Sequence, residues 1–153
     1  MTSNNKIELM APAGNFESLQ AGLDNGADSV YFGVEQLNMR ARATVNFTMD
    51  DLPEIAKRCE AKKVRSYLTL NTIIYDHDLS VVKTLLTKAK EANITAVIAS
   101  DQAVIAMARG IGMEVHISTQ LNVTNIETIK FYSLFADTMV LSRELSLRQV
   151  KSI

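Results

Sequence analysis

Six times along the chain a short apolar run gives way to a stretch with helical periodicity, and this rhythm excludes most folds. The runs occupy residues 7–11, 29–33, 66–71, 96–99, 114–119 and 138–142. Between them, apolar residues recur at spacings of three and four. Phe16, Leu19 and Leu23 form one such stripe, and Leu52, Ile55, Ala56 and Cys59 the next. Leu79, Val82, Leu85, Leu86 and Ala89 form the third, Val104, Ile105 and Ala108 the fourth, and Ile126, Ile129 and Phe135 the fifth. Such stripes mark helices that bury one face. Helix starts are signalled by Asn15, Thr48 with Asp51, Ser100 or Asp101, Thr124 with Glu127, and Ser146 with Gln149, all residue types that cap exposed backbone N–H groups. Asn25-Gly26 reads as a helix stop.

Strand–helix units in series imply a parallel α/β sheet with right-handed crossovers. Two architectures satisfy this. An open doubly wound sheet accommodates five or six strands, whereas a closed (β/α) barrel takes eight strands and roughly 250 residues. The 153 residues favour the first by length alone. The pattern favours the second. No Gly-rich dinucleotide fingerprint follows the first run, where residues 11–15 read Ala-Pro-Ala-Gly-Asn. The helical stretch opening at Ser146 runs only to Ile153, shorter than the mean helix of about three turns. We therefore expect one α/β domain over residues 1–153, an incomplete TIM-like barrel of about six strands that is the amino-terminal part of a longer barrel.

Composition narrows the function classes. The chain is 47% hydrophobic and 22% charged with net charge −1, which fits a globular domain and argues against a mainly electrostatic nucleic-acid binder. No run approaches the ~18 apolar residues of a membrane span. The single cysteine, Cys59, has no second thiol to pair with and suits a reducing compartment. With no apolar segment in the first six residues to read as a secretory signal, a cytoplasmic location is expected.

Function in either architecture collects at the carboxyl ends of the strands. After the second run, Asn38, Arg40 and Arg42 place two guanidinium groups at i and i+2. In an extended backbone they project to the same side, and such forks match carboxylate or phosphate. The competing reading is a pair of solvated loop charges. Asn71 follows the third run, Ser118 and Gln120 close the fifth, and Arg143 with Glu144 follows the sixth. Ser118 and Gln120 equally suit a helix-capping loop, and Arg143 with Glu144 a local ion pair. We take Asn38, Arg40, Arg42, Asn71, Ser118, Gln120 and Arg143 as candidate substrate-binding residues for an anionic small molecule, a peptide or RNA.

Catalytic candidates are sparse. His116 shares a strand face with Glu114 and Ser118, a face that points inward in a barrel; an interior structural histidine is the competing reading. His77 lies between Asp76 and Asp78 and reads most simply as a solvated loop residue. Glu144 is the third candidate. The chain contains neither a zinc pair of the H-E-x-x-H type nor a G-x-S-x-G elbow. Cys59 falls on an apolar stripe without a C-x-x-C neighbour, so no metal or iron–sulfur site is expected from this chain.

Taken together and in order, several segments resemble the collagenase-like peptidase family, peptidase family U, number thirty-two. They are Glu8-Leu9-Met10-Ala11-Pro12-Ala13-Gly14-Asn15 and Gly26-Ala27-Asp28-Ser29-Val30-Tyr31-Phe32-Gly33. Asn38-Met39-Arg40-Ala41-Arg42, Asn46-Phe47, Leu70-Asn71-Thr72 and Ser118-Thr119-Gln120 continue the series, which ends in Val140-Leu141-Ser142-Arg143-Glu144-Leu145-Ser146-Leu147. The resemblance implies a barrel-like domain of a cytoplasmic bacterial protein whose longer members carry a cysteine cluster downstream. It implies a peptidase or hydrolase. An alternative within the family is an oxygen-independent hydroxylase of tRNA, rRNA or a ubiquinone precursor, using an iron–sulfur cluster in the full-length protein. A third reading is a non-catalytic binding scaffold. The resemblance also makes Arg40, Arg42 and Arg143 candidates for an anionic group. The segment alone is expected to be inactive and to self-associate through exposed strand edges.

Overall fold

The computed structural model describes residues 7–35, 37 and 47–153. Asn38, Arg40, Arg42 and Asn46 lie outside the described residues. Six parallel strands alternate with six helices: β1 (Met10–Ala13), α1 (Phe16–Asp24), β2 (Ser29–Gly33), α2 (Leu52–Ala61), β3 (Arg65–Leu70), α3 (Leu79–Glu91), β4 (Ala96–Ala99), α4 (Gln102–Gly110), β5 (Glu114–Ile117), α5 (Ile126–Tyr132), β6 (Thr138–Met139) and α6 (Leu147–Ser152). The strands lie in the order β1-β2-β3-β4-β5-β6.

That unbroken order decides between the two architectures. A doubly wound sheet reverses its strand order and carries helices on both faces. Here, among the described residues, one face alone meets the helices. Val30, Phe32, Leu68, Leu70, Val97, Ala99, Val115 and Ile117 pack in one cluster with Leu19, Ile55, Leu85 and Val104 of the helices. The alternate strand positions, Tyr31, Tyr67, Ala96 and Ile98, form a separate cluster on the opposite face. This is the wall of a partial barrel, with helices outside and the second cluster inside.

Local sequence explains most elements. Asn15 accepts from the Ser18 amide while the Ser18 hydroxyl accepts from the Asn15 amide, a reciprocal cap for α1. Gly22 lets α1 lie close on the sheet, since a Cβ there would meet Ala11 Cβ at 3.4 Å. Gly26 reverses the chain at φ +84°, a conformation that L side chains rarely adopt. Thr48 and Asp51 cap the turn that leads into α2 as anticipated. Leu52, Ile55, Ala56 and Cys59 are all buried, as are Val82, Leu85, Leu86 and Ala89 of α3.

Three expectations are corrected. β1 begins three residues later than residues 7–11 suggested and includes Pro12. As an edge strand β1 has a neighbour on one side only, so the missing N–H at Pro12 is tolerated. α5 is capped by Asn125, whose side chain accepts from the Thr128 amide, rather than by Thr124. Its expected stripe is only half realised. Ile129 is partly buried, but Ile126 is exposed and Phe135 lies beyond the helix end with its ring against Phe131. The reason is that β6 spans only two residues, so the sheet presents little surface for α5 to cover. No helix among the described residues is long and apolar enough to cross a membrane.

Candidate functional site

The carboxyl ends of the strands form a rim, and β3 and β5 bring two predicted residues together there. Asn71 follows β3 directly, and Ser118 follows β5. The Asn71 side-chain amide donates to Ser118 Oγ at 3.4 Å. That length is beyond the ordinary N–H···O range, so the contact is weak. Ser118 is buried, its hydroxyl also accepting the Gln120 amide at 3.3 Å. The next turn is closed by Asn122 at φ 49°. Gln120 itself is exposed, leaving its side chain on the solvent side of the same loop.

Ser142, after β6, is buried and its amide donates to Val123 O. Its hydroxyl donates to the Glu144 carboxylate in a short contact. That hydroxyl first, and a backbone N–H second, hold the Glu144 carboxyl below the usual carboxylate range. A carboxyl so stabilised is a weaker base, which suits an orienting acceptor better than a proton acceptor. Arg143 is exposed beside it. Asp101 caps α4 through the Ala103 amide at 2.8 Å, a local structural role.

The histidines separate cleanly. His77 is exposed, stacked on Tyr75 at 5.7 Å and 3.6 Å from Asp78. It lies on the turn between β3 and α3. His116 is 4% exposed and faces the inside of the barrel wall. Its Nε2 lies 2.7 Å from Glu114 Oε1, and its ring meets Tyr67 edge-on at 4.7 Å.

Around His116 the structure assembles a polar network that the sequence analysis did not foresee. Arg65 Nη2 donates to Glu114 Oε1 at 2.6 Å. The Tyr67 hydroxyl donates to Glu8 Oε1 at 2.6 Å, and Arg65 lies 3.7 Å from the other Glu8 oxygen. Glu8 is held below the usual carboxylate range. The Ser29 hydroxyl beside it contributes most and Tyr67 next, although Ser29 Oγ is buried without a hydrogen bond of ordinary geometry. Burial pushes Glu114 up, but hydrogen bonds from His116 and Arg65 outweigh it and leave its carboxyl lowered. Burial, then the Glu8 hydrogen bond, raises Tyr67 well above its ordinary range. The signal was available in the alternation Arg65, Tyr67, Thr69, Asn71, which sets four polar or amphipathic side chains on one strand face. It was obscured because Glu8 lies before β1 rather than within it.

Among the described residues no group of three or more His, Cys, Asp or Glu comes together to hold a metal ion. Cys59 does not fit an iron–sulfur cluster. Its side chain is buried on the helix side of the sheet, and burial pushes the thiol up to about 11, far from the thiolate that iron requires.

The model of Peptidase family U32 matches residues 14–153. The chain belongs to the U32 peptidase family. A protein named collagenase from Porphyromonas gingivalis is 54% identical over 149 residues, 97% of this chain and 36% of that protein. A tRNA hydroxylation protein P from Helicobacter pylori is 36% identical over 152 residues, 97% of this chain and 36% of its own length. The solved structure of a U32 peptidase superposes with a TM-score of 0.72 at 12% identity, covering 92% of this chain and 60% of that one; at that identity the likeness shows the fold. The chain thus spans about a third of the length of these two curated U32 relatives.

Proposed function

We propose that this chain is the amino-terminal barrel segment of a collagenase-like peptidase, and that its strand-end rim binds the substrate. The observation that carries this reading is the Asn71–Ser118 pair. It lies at the barrel end where substrates bind, and its 3.4 Å contact is weak enough to exchange for a ligand's donor and acceptor. A peptide backbone offers both. Gln120 extends the polar rim, and Arg143 supplies a cation for an anionic group. Asn38, Arg40 and Arg42, which follow β2 in the sequence, are assigned the same anionic role. The 54% identity to a collagenase supports a peptide substrate over other classes. Among the described residues, Ser142 meets only a weakened base in Glu144, so the hydrolytic groups are assigned to the rest of the full-length protein.

A second reading is supported by the relative named for tRNA hydroxylation. In it, the same rim would receive RNA, and an iron–sulfur cluster would be held by cysteines outside this chain. One preparation separates the two. Full-length protein is purified without oxygen, its iron content measured, and its action followed on gelatin and on tRNA nucleosides by mass spectrometry. The peptidase reading expects gelatin cleavage by iron-free protein. Iron-loaded protein that leaves gelatin intact and hydroxylates tRNA would replace it with the second reading.

A further inference from the structure

The strands β3 and β5 are not neighbours; β4 runs between them. They nevertheless touch twice over the inner face. Arg65 reaches Glu114 at 2.6 Å, and the Tyr67 ring meets His116 at 4.7 Å. The register explains how. Ala96 of β4 is aligned with Tyr67 on one side and with Glu114 on the other. A methyl group there leaves a trough that long side chains can bridge. The Arg65 guanidinium also lies over the Tyr67 ring at 5.2 Å, which fixes its direction. At one end Tyr67 and Arg65 continue the bridge to Glu8, ahead of β1. Side chains from alternate strands thus share one level, the layering of barrel interiors.

Further along, with Asn71 four residues past Tyr67 and Ser118 two residues past His116, the ends of the same two strands meet again. Tyr67, Thr69 and Asn71 share the inner side of β3, and Glu114, His116 and Ser118 that of β5, by the two-residue period of strands. We propose that Arg65 and Glu114 are positioning residues: within the spacing that backbone pairing through β4 sets, they form a strut across Ala96 that braces the inner side chains of β3 and β5 and thereby holds Asn71 and Ser118 together at the rim. Its consequence for binding rests on the proposed function, whereas the strut itself is tested without any substrate.

The test uses the 153-residue chain and the nuclear Overhauser effect between the Asn71 side-chain amide and the Ser118 β-protons. An ion pair this exposed contributes little to stability. The double variant Arg65→Met with Glu114→Gln therefore removes the strut while keeping the chain folded. The strut predicts that the Asn71–Ser118 signal falls severalfold in this variant, with the melting temperature little changed. A folded double variant with an undiminished signal would overturn it. Ala96→Val, which fills the trough without touching a charge, is the second variant and is expected to weaken the same signal; should the double variant not fold, an undiminished signal in Ala96→Val overturns the proposal. Affinity for peptide is then measured on full-length protein carrying the double variant. A lost signal with unchanged affinity would leave the strut standing and remove the Asn71–Ser118 pair from the proposed function.

Discussion

Arg65 Nη2 and Glu114 Oε1 approach to 2.6 Å although a whole strand separates the elements that carry them. The same Glu114 oxygen meets His116 Nε2 at 2.7 Å. With Glu8, the pair makes acid stability a direct readout of the network. Both carboxyls are lowered in the folded chain, so they contribute stability above the unfolded value of about 4.3 and lose it as pH falls through the folded values. Both side chains are about a third or more exposed, which limits each pair to at most about 1 kcal/mol. Denaturant titrations from pH 7 downward should show a loss that begins below about pH 5. Glu8→Gln with Glu114→Gln should flatten that slope; an unchanged slope would assign the loss to other carboxylates.

Truncating Phe47 should be costly. Its ring packs edge-to-face against Phe16 at 5.1 Å and Phe32 at 5.7 Å. Its carbonyl accepts the Glu35 amide at 2.8 Å. It is 3% exposed, so Phe47→Ala removes a buried ring from a well-filled site and should cost about 3–5 kcal/mol. Urea unfolding monitored by circular dichroism measures it, and a cost under about 1 kcal/mol would contradict the packing.

Cys59 should be chemically silent in the folded protein. With its thiol pushed up to about 11 by burial, almost no thiolate is present at pH 8. A thiol reagent is expected to react only as fast as the chain unfolds, and to label at once in denaturant. Rapid labelling of native protein would show that α2 does not seal it.

The open edges of the sheet carry a prediction of their own. β1 and β6 each have a single partner strand, and Ile7, Leu9, Phe131, Leu134 and Leu147 are exposed near those ends. Unpaired edges with apolar surroundings recruit further strands. The 153-residue chain is expected to self-associate, with a sedimentation coefficient that rises with concentration. A monomer at every concentration would contradict this.

The stripe of α2 was legible residue for residue, and that of α3 except for Leu79, which is only partly buried, because a buried helix face must repeat at 3.6. The choice of a barrel wall over a doubly wound sheet was not available from periodicity, since both need the same buried strands; strand order decided it. The exposed Ile126 escaped because it depends on how short β6 is, and the cap of α5 because Thr124 and Asn125 are both capping residue types. At the rim, Asn71 and Ser118 were nominated separately from their places at run ends, and only the fold showed them in contact. The Glu8–Arg65–Glu114 network joins residues 57 and 49 positions apart in order, a pairing no local pattern encodes.

The most direct test of the rim as a substrate-binding edge is gelatin hydrolysis by the full-length protein carrying Asn71→Ala with Ser118→Ala. Neutral hydrogen bonds contribute about 0.5–1.5 kcal/mol each, so the two losses predict a fall in kcat/KM of roughly five- to 160-fold. The melting temperature should stay close to that of the unsubstituted protein. Full activity in that folded double variant would contradict the account.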